Sequence, residues 1–338
     1  MSVKEAGRSA EGAVVEASIR SAAGAMADIL SWGAVVSDLS VPVGGGLRRV
    51  VLGFPTFAPY PEHSRNFGTI VGRHANRIRA GRFTLEGRQY QLSLNEARHH
   101  LHGGFRHFGK RIWNVVAHEE RSVTLAIGAE DGEEGYPGNL EAECRYELAE
   151  PATLRVTLSA RVDRPCPVSL AHHSYFNLDG SGDITGHVME IAADKYTPVD
   201  ADLIPTGEIR SVTGSGYDFT RPRSIGSSAF DAIAYDVNFV LAEKRRSAPQ
   251  FAARVVSSKR DLAMEVWTTE PGLQFYDGHK LAVAVPGHDG QMYRARSGLC
   301  LEPQLFPNGP NEPGFPDSVL RPGDTYRQVT EYRFMAAG

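Results

Sequence analysis

Apolar and polar residues alternate with a period of two along several stretches of this chain. Two long stretches, residues 140–148 and 154–162, place an apolar residue at every second position. Shorter stretches of the same kind cover residues 123–127 and 262–266. Successive side chains of a β-strand point to opposite faces of the sheet, so this alternation predicts strands that bury one face.

A β-hairpin is predicted around Glu86-Gly87, because alternating apolar residues flank this turn dipeptide on both sides. Helical patterns are few, and only residues 226–233 are expected to hold one or two helical turns. A parallel α/β fold needs a crossover helix between successive strands, and the pattern lacks such helices. With 35 Gly and 20 Pro spread along the chain, the sequence predicts one large antiparallel β domain over residues 1–338.

Charge and hydropathy exclude several classes of protein. The 338 residues include 36 Lys and Arg against 40 Asp and Glu, which gives a formal net charge of −4. There is no basic excess for nucleic-acid binding. No uninterrupted apolar stretch reaches the roughly 18 residues of a membrane span, and the N-terminal segment does not resemble a signal peptide.

The cysteines indicate a reducing compartment. There are three in the chain, Cys144, Cys166 and Cys300, and they are widely spaced with no CxxC pair. An odd, scattered set predicts neither a disulfide framework nor a cysteine-built zinc site. A cytoplasmic location is therefore expected.

Residues 71–78 form the first segment with more polar side chains than a sheet requires. Arg73 and Arg77 are expected on one side of a turn, and Asn76 beside them adds a hydrogen-bond donor and an acceptor. A solvated basic loop is the alternative.

Residues 99–104 form the second polar segment. His100 and His102 would share one face of a strand, as some metal sites require, but no acidic residue is close to them in the sequence. A neutral histidine that hydrogen-bonds a polar ligand is favoured over a metal site. The following Gly103-Gly104 predicts close approach of the backbone to another group.

The third and fourth polar segments supply groups for proton transfer. His172 and His173 are adjacent, so at most one of them can face a given cleft, and a histidine suits general acid chemistry at neutral pH. Glu302 lies in an apolar stretch where partial desolvation would raise its pKa toward that of a general base. A core histidine and a surface glutamate at a strand end, beside Pro303, are the alternatives.

Motifs for phosphate binding and nucleophilic catalysis are absent. The sequence has no GxxxxGK[ST] loop, no GxGxxG after a strand, no GxSxG elbow and no HExxH helix. The remaining polar groups fit proton transfer on a neutral, hydroxyl-rich ligand, with aromatic side chains available to stack on sugar faces.

The motifs taken together resemble those of the aldose 1-epimerases, also called galactose mutarotases. Eight segments carry the resemblance in the order typical of that family: residues 72–78, 101–104, 131–138, 173–178, 196–200, 203–208, 271–276 and 301–304. The similarity extends over nearly the whole chain, from about residue 31 to residue 334.

This resemblance implies a large antiparallel β-sandwich of the galactose-mutarotase type with an open sugar-binding cleft. His173 matches the general acid of the family and Glu302 its general base. The residues that match sugar-binding positions are Asn76, Arg77, His102, Asp236 and Gln274.

The implied reaction interconverts the α and β anomers of a free aldose such as galactose or glucose. It requires no cofactor and no metal, and its only partner is the sugar, with the protein a monomer or homodimer. A glycoside hydrolase, a non-catalytic sugar-binding protein and a metal-dependent β-barrel enzyme built on His100 and His102 remain the alternatives.

Three positions depart from the family pattern. His172 stands where relatives commonly have Asn, Pro303 where they usually have Thr, and Val237 where they often have His. None of these changes removes a proposed catalytic group, so we expect them to affect substrate preference more than activity.

Overall fold

The structure, a computed structural model, describes residues 3–226 and 233–338. The helical turns predicted for residues 226–233 therefore lie largely outside the described residues. Within those two ranges there is one α-helix, α1 (Tyr60–His63), and no helix is long and apolar enough to cross a membrane. Short 3-10 turns occur at Arg79–Gly81, Phe108–Lys110, Glu133–Gly135, His288–Gly290 and Gly309–Asn311.

Strands account for most of the regular secondary structure. In chain order they are β1 (Val3–Ser9), β2 (Gly12–Arg20), β3 (Met26–Leu30), β4 (Val35–Val43), β5 (Gly46–Arg49), β6 (Thr69–Val71), β7 (Arg77–Ile78), β8 (Arg82–Leu85), β9 (Arg88–Gln91), β10 (His100–Leu101), β11 (Asn114–Glu119), β12 (Ser122–Ala129), β13 (Leu140–Ala149), β14 (Thr153–Val162), β15 (Cys166–Pro167), β16 (Ala171–His173), β17 (Val188–Ile191), β18 (Lys195–Thr197), β19 (Arg210–Ser211), β20 (Arg223–Ser224), β21 (Asp236–Val240), β22 (Gln250–Val256), β23 (Leu262–Thr268), β24 (Gly272–Tyr276), β25 (Cys300–Gln304), β26 (Val319–Leu320) and β27 (Tyr326–Ala336).

A nine-stranded antiparallel sheet forms one layer, in the order β11-β12-β13-β14-β27-β23-β22-β17-β20. The four alternating stretches of the sequence are its strands β12, β13, β14 and β23, as predicted. Along β13 the apolar residues are buried and Glu141 and Glu143 are exposed. One face of this sheet is therefore part of the core and the other faces solvent.

Two five-stranded antiparallel sheets, β1-β2-β3-β4-β5 and β19-β18-β21-β24-β25, contribute to the opposite layer. Apolar residues from both of them join the inner face of the nine-stranded sheet in one large core cluster. The predicted hairpin is the pair β8–β9, with the Glu86-Gly87 turn between its strands. The predicted all-β sandwich with few short helices is confirmed.

The register of β21, β24 and β25 separates an apolar face from a polar one. Val237, Phe275 and Leu301 lie in one cross-strand row, and their side chains belong to the core. The neighbouring rows, which point the other way, are Asp236–Tyr276–Cys300 and Asn238–Gln274–Glu302. Because side chains alternate along each strand, the core packing of the first row directs the polar rows to the opposite face.

Side chains of β27 hold the free edge of β25 in place. The Tyr332 hydroxyl donates to the carbonyl oxygen of Leu301 over 3.1 Å, and Gln328 Nε2 donates to that of Pro303 over 2.7 Å. Pro303 has no backbone N–H to donate to a neighbouring strand, and a proline is tolerated here because β25 is at the edge of its sheet. Glu302 is thus in the middle of a buried strand, and the alternative of a surface glutamate is wrong.

Candidate active site

A cavity of about 310 Å³ opens on the polar face of β21, β24 and β25. This volume suits a small polar ligand. The lining residues are Arg65, Asn66, Asn76, Arg77, Glu96, Leu101, His102, His173, Tyr175, Asp236, Tyr276, Lys280, Leu281 and Glu302. Six of the seven site residues expected from the sequence line this cavity, and the seventh, Gln274, contacts Asp236.

The proposed acid and base lie side by side on two strands. His173 ends β16, Glu302 is central in β25, and His173 Nε2 is 3.7 Å from Glu302 Oε2. The two residues are only 5% and 2% exposed. Burial lowers the pKa of His173 to about 4. Burial also raises the pKa of Glu302 well above its usual range; nearby Asp236 adds to this and Arg77 opposes it.

These opposite shifts mean that the pair keeps one proton over a wide pH range. Burial disfavours the doubly protonated pair, which is cationic, and also the fully deprotonated pair, which is anionic. The lowered pKa of His173 and the raised pKa of Glu302 favour that proton on Glu302, so the His173 imidazolium with the Glu302 carboxylate is the less populated arrangement of the same single proton. The cleft is therefore equipped with one proton to donate and one site to accept another.

Several neighbours hold the His173 ring. Cys300 Sγ lies 3.6 Å from its Nδ1 atom. The imidazole of His102 and the ring of Tyr175 contact it at centroid distances of 5.3 and 5.2 Å. A ring packed on these sides keeps one orientation toward the cavity.

The guanidinium of Arg77 is anchored from both sides of the cleft. It donates to the two carboxylate oxygens of Glu96 over 2.6 and 2.7 Å and lies 3.8 Å from Asp236 Oδ2. Burial alone would lower the pKa of Arg77, but Glu96 and Asp236 keep it above its ordinary value. A permanent, oriented cation is thus available to a ligand hydroxyl or ring oxygen.

Two hydrogen bonds join Asn76 and His102. The amide of Asn76 donates to His102 Nδ1 over 3.1 Å, and the amide of His102 donates to the Asn76 carbonyl over 2.9 Å. Burial lowers the pKa of His102 well below its usual value, with the charge of His173 acting in the same direction. A neutral ring that accepts at Nδ1 carries its proton on Nε2, so His102 is a hydrogen-bond donor there.

Asp236 and Gln274 form the third side of the ligand site. Gln274 Nε2 donates to Asp236 Oδ1 over 2.7 Å. The amide oxygen of Gln274 is buried and has no hydrogen-bond partner within the described part of the chain. An oriented carboxylate and an unpaired amide oxygen are suited to accept hydrogen bonds from hydroxyl groups.

The expectation that His100 and His102 share a face is wrong. β10 ends at Leu101 and His102 has a φ of 56°, so the alternation of a strand is interrupted. His100 is fully buried and its Nδ1 and Nε2 atoms bond to the Ser93 carbonyl and the Tyr136 hydroxyl, both over 2.8 Å. The pair therefore cannot bind a common metal ion.

The glycines after this pair do mark a close backbone approach, as predicted. Gly103 has a φ of 100°, and a Cβ atom built on it would lie 1.9 Å from the carbonyl oxygen of Gly72. This contact holds the loop carrying His102 against the segment carrying Asn76.

Arg73 is not part of the site, and the expectation that it shares a side with Arg77 is wrong. It is 2% exposed and donates to the carbonyl oxygens of Gly138 and Glu130 over 2.7 and 2.6 Å. Arg73 ties the loop between β12 and β13 to the cleft segment.

His172 and His173 point in opposite directions, as predicted for neighbours on a strand. His172 packs between the rings of Tyr146 and Tyr332 in the core, and its Nε2 is 2.9 Å from Ser174 Oγ. His172, one of the three positions that depart from the family pattern, therefore does not line the cavity.

Sequence reasoning missed several cavity residues. Tyr276 follows Gln274 by two positions on β24, so strand alternation held a usable signal for it. Tyr175 lies two residues beyond the end of β16 and gave no such signal. Glu96 gave no such signal, because its partner Arg77 is 19 residues away in the sequence.

A β-sandwich whose cleft pairs a buried imidazole with a buried carboxylate is the arrangement expected of an enzyme that transfers protons on a small polar ligand. The aldose 1-epimerase family model matches residues 16–333. Galactose mutarotase from Rattus norvegicus is 41% identical over 315 residues, which cover 92% of this chain and 91% of that protein. Aldose 1-epimerase from Escherichia coli (strain K12) is 37% identical over 328 residues, with 94% of each chain covered.

The solved structures agree with these sequence matches. A GalM/aldose epimerase homologue from C. elegans superposes with a TM-score of 0.90 at 33% identity, covering 96% of this chain and 99% of the other. The chain belongs to the aldose 1-epimerase family. The family recognised from the eight motifs is thereby confirmed, and with it the assignment to the isomerases.

Proposed function

We propose that this chain interconverts the α and β anomers of a free aldose, with His173 as general acid and Glu302 as general base. The observation that carries the proposal is the buried pair of these two side chains, 3.7 Å apart on the wall of a sugar-sized cavity. The relatives named above carry the same activity in their names.

Ring opening requires two proton transfers. The carboxylate of Glu302 takes the proton from the anomeric hydroxyl on C1, while the His173 imidazolium gives its proton to the ring oxygen and the C1–O5 bond breaks. The open-chain aldehyde then rotates by half a turn about C1–C2. Closure on the other face of the aldehyde reverses both transfers, so the pair ends with the same number of protons that it had at the start.

The remaining site residues orient the sugar. Arg77 and His102 would donate hydrogen bonds near the ring oxygen and adjacent hydroxyls, with Asn76 supporting His102. Asp236 and Gln274 would accept hydrogen bonds from hydroxyls further round the ring. Correct orientation lowers the barrier because the reacting atoms no longer have to be brought into line during the reaction.

Polarimetry of freshly dissolved α-galactose and α-glucose tests the reaction and the two roles. Glu302→Gln and His173→Asn should each lower kcat by about 10²–10⁴-fold. Glu331→Gln is the matched control, since Glu331 is also buried but pairs with Arg155 on the nine-stranded sheet. Wild-type rates in both site variants would refute the assigned roles, and no acceleration of mutarotation with either sugar would refute the reaction.

Glycoside hydrolysis is the second candidate, and one observation favours testing it. Asp236 lies in the same cavity as Glu302 and raises its pKa, so a second carboxylate lies close to the proposed base. Hydrolases use such a pair across a glycosidic bond. Release of nitrophenol from a nitrophenyl galactoside, lost in Asp236→Asn, would support hydrolysis; its absence alongside mutarotation would exclude it.

We also infer that residues 1–338 form one domain, that the protein is cytoplasmic, and that it is a monomer or homodimer whose only partner is its sugar. The three free, buried cysteines support a reducing compartment. Light scattering on purified protein measures the oligomeric state, and a species larger than a dimer would contradict this inference.

A further inference from the structure

Cys300 is buried beside the proposed acid–base pair, but the reaction does not use it. It precedes Glu302 by two positions on β25, so both side chains lie on the polar face of that strand. Its Sγ atom is 3.6 Å from His173 Nδ1. One ligand atom each from His173, Cys300 and Glu302 lie within 4.8 Å of one another.

We infer that this triad is an inhibitory binding site for a thiophilic divalent cation such as Zn²⁺. Thiolate, imidazole and carboxylate are the ligands that zinc takes in proteins, and three of them with one open position is a common arrangement. The cavity in front of His173 and Glu302 leaves room for water as the fourth ligand.

Only modest side-chain movement is needed. Bond lengths of about 2.0–2.3 Å to a tetrahedral zinc ion place its ligand atoms roughly 3.3–3.7 Å apart. The separations of 3.6 and 3.7 Å in the triad involve different ring nitrogens of His173. Since one ion bonds to one nitrogen, the remaining ligand atom has to move closer by about 1 Å from a separation of up to 4.8 Å.

The chemistry of the triad suits a divalent cation. Glu302 Oε2 is buried and has no hydrogen-bond partner among the residues described. The thiol of Cys300 releases its proton to solvent on metal binding, and the resulting thiolate and the carboxylate neutralise a dication. Bound Zn²⁺ occupies both groups that would transfer protons, so it inhibits in competition with the sugar. This consequence rests on the proposed function, but cation binding does not.

The test compares wild type with Cys300→Ser and with Cys166→Ser, a matched control. Cys166 is equally buried but contacts Arg73 outside the cavity. Metal-free proteins are titrated with Co²⁺, and a thiolate-to-cobalt charge-transfer band is expected in wild type and Cys166→Ser but not in Cys300→Ser. Zn²⁺ should slow mutarotation reversibly, and Cys300→Ser should need at least about tenfold more Zn²⁺ for half inhibition, each variant measured against its own metal-free rate.

The outcomes separate the cation site from the reaction. No cobalt band in wild type, or a band that survives in Cys300→Ser, overturns the inference even if mutarotation is normal. A protein that binds Co²⁺ through Cys300 but does not accelerate mutarotation supports the site and refutes the proposed function. If Cys300→Ser does not fold, Glu302→Gln replaces it in the Co²⁺ titration. The Glu302→Gln variant should bind Co²⁺ at least about tenfold more weakly than wild type, and an unchanged affinity would overturn the site.

Discussion

His74 makes the fold sensitive to acid, and His74→Leu should reduce that sensitivity. The side chain is fully buried, and burial, together with the nearby His100, lowers the pKa of His74 from 6.5 to about 4. The unfolded chain therefore binds more protons than the folded one between these two values. Stability contributed by neutral His74 is present above about pH 6.5 and is lost as the pH falls toward about 4.

The size of the effect follows from the two pKa values. At about pH 5, a histidine with a pKa of about 6.5 unfolded and about 4 folded lowers the free energy of unfolding by about 2 kcal/mol relative to about pH 7.5. A domain is typically stable by roughly 5–15 kcal/mol, so this loss is large enough to measure. Leucine does not titrate, and any packing change that it introduces contributes equally at both pH values.

Urea unfolding of wild type and His74→Leu at both pH values measures the difference, with urea chosen because it does not screen charges. The variant should lose about 2 kcal/mol less stability than wild type between about pH 7.5 and about pH 5. Equal losses in the two proteins would refute the reasoning, because they would mean that His74 binds protons equally well in the folded and unfolded chains.

Three further variants test the ligand site and its scaffold. Asp236→Asn should raise KM about tenfold with little change in kcat, since it weakens a contact to sugar hydroxyls; a wild-type KM would contradict that role. Glu96→Gln should lower kcat/KM by about tenfold, because Arg77 loses one of its bidentate carboxylate bonds; an unchanged value would show that Glu96 does not orient it. Gly103→Ala should destabilise the protein by more than about 2 kcal/mol, as its Cβ would collide with Gly72; an unchanged melting temperature would contradict the contact.

Local sequence pattern was a good guide to the strands. β13 and β14 were predictable to within a residue or two, because each strand buries one face and the sheet imposes a period of two on its side chains. β25 is different: Cys300–Gln304 is buried on both faces, so it gives no alternating pattern of hydrophobicity. Glu302 was a candidate base because its neighbours are apolar, but its role beside His173 was predicted only through the resemblance to a family.

The sequence by itself determined the fold class and, through its motifs, the family. It also predicted His173 as acid and Glu302 as base, and these two roles stay predictions. It also required that His172 and His173 face opposite ways, because strand geometry decides this locally. Strand alternation acts within one segment, and the family follows from motifs in a fixed order along the chain, so both are recorded in the sequence.

Only the tertiary structure decided which polar groups meet. Arg73 and Arg77 are four residues apart, yet one of them binds carbonyl groups of a distant loop and the other lines the cleft. His173 and Glu302 are 129 residues apart and come within 3.7 Å because β16 lies beside β25. Long-range packing of strands sets such contacts and the burial that shifts the pKa values of both groups, and neither can be read from neighbours along the chain.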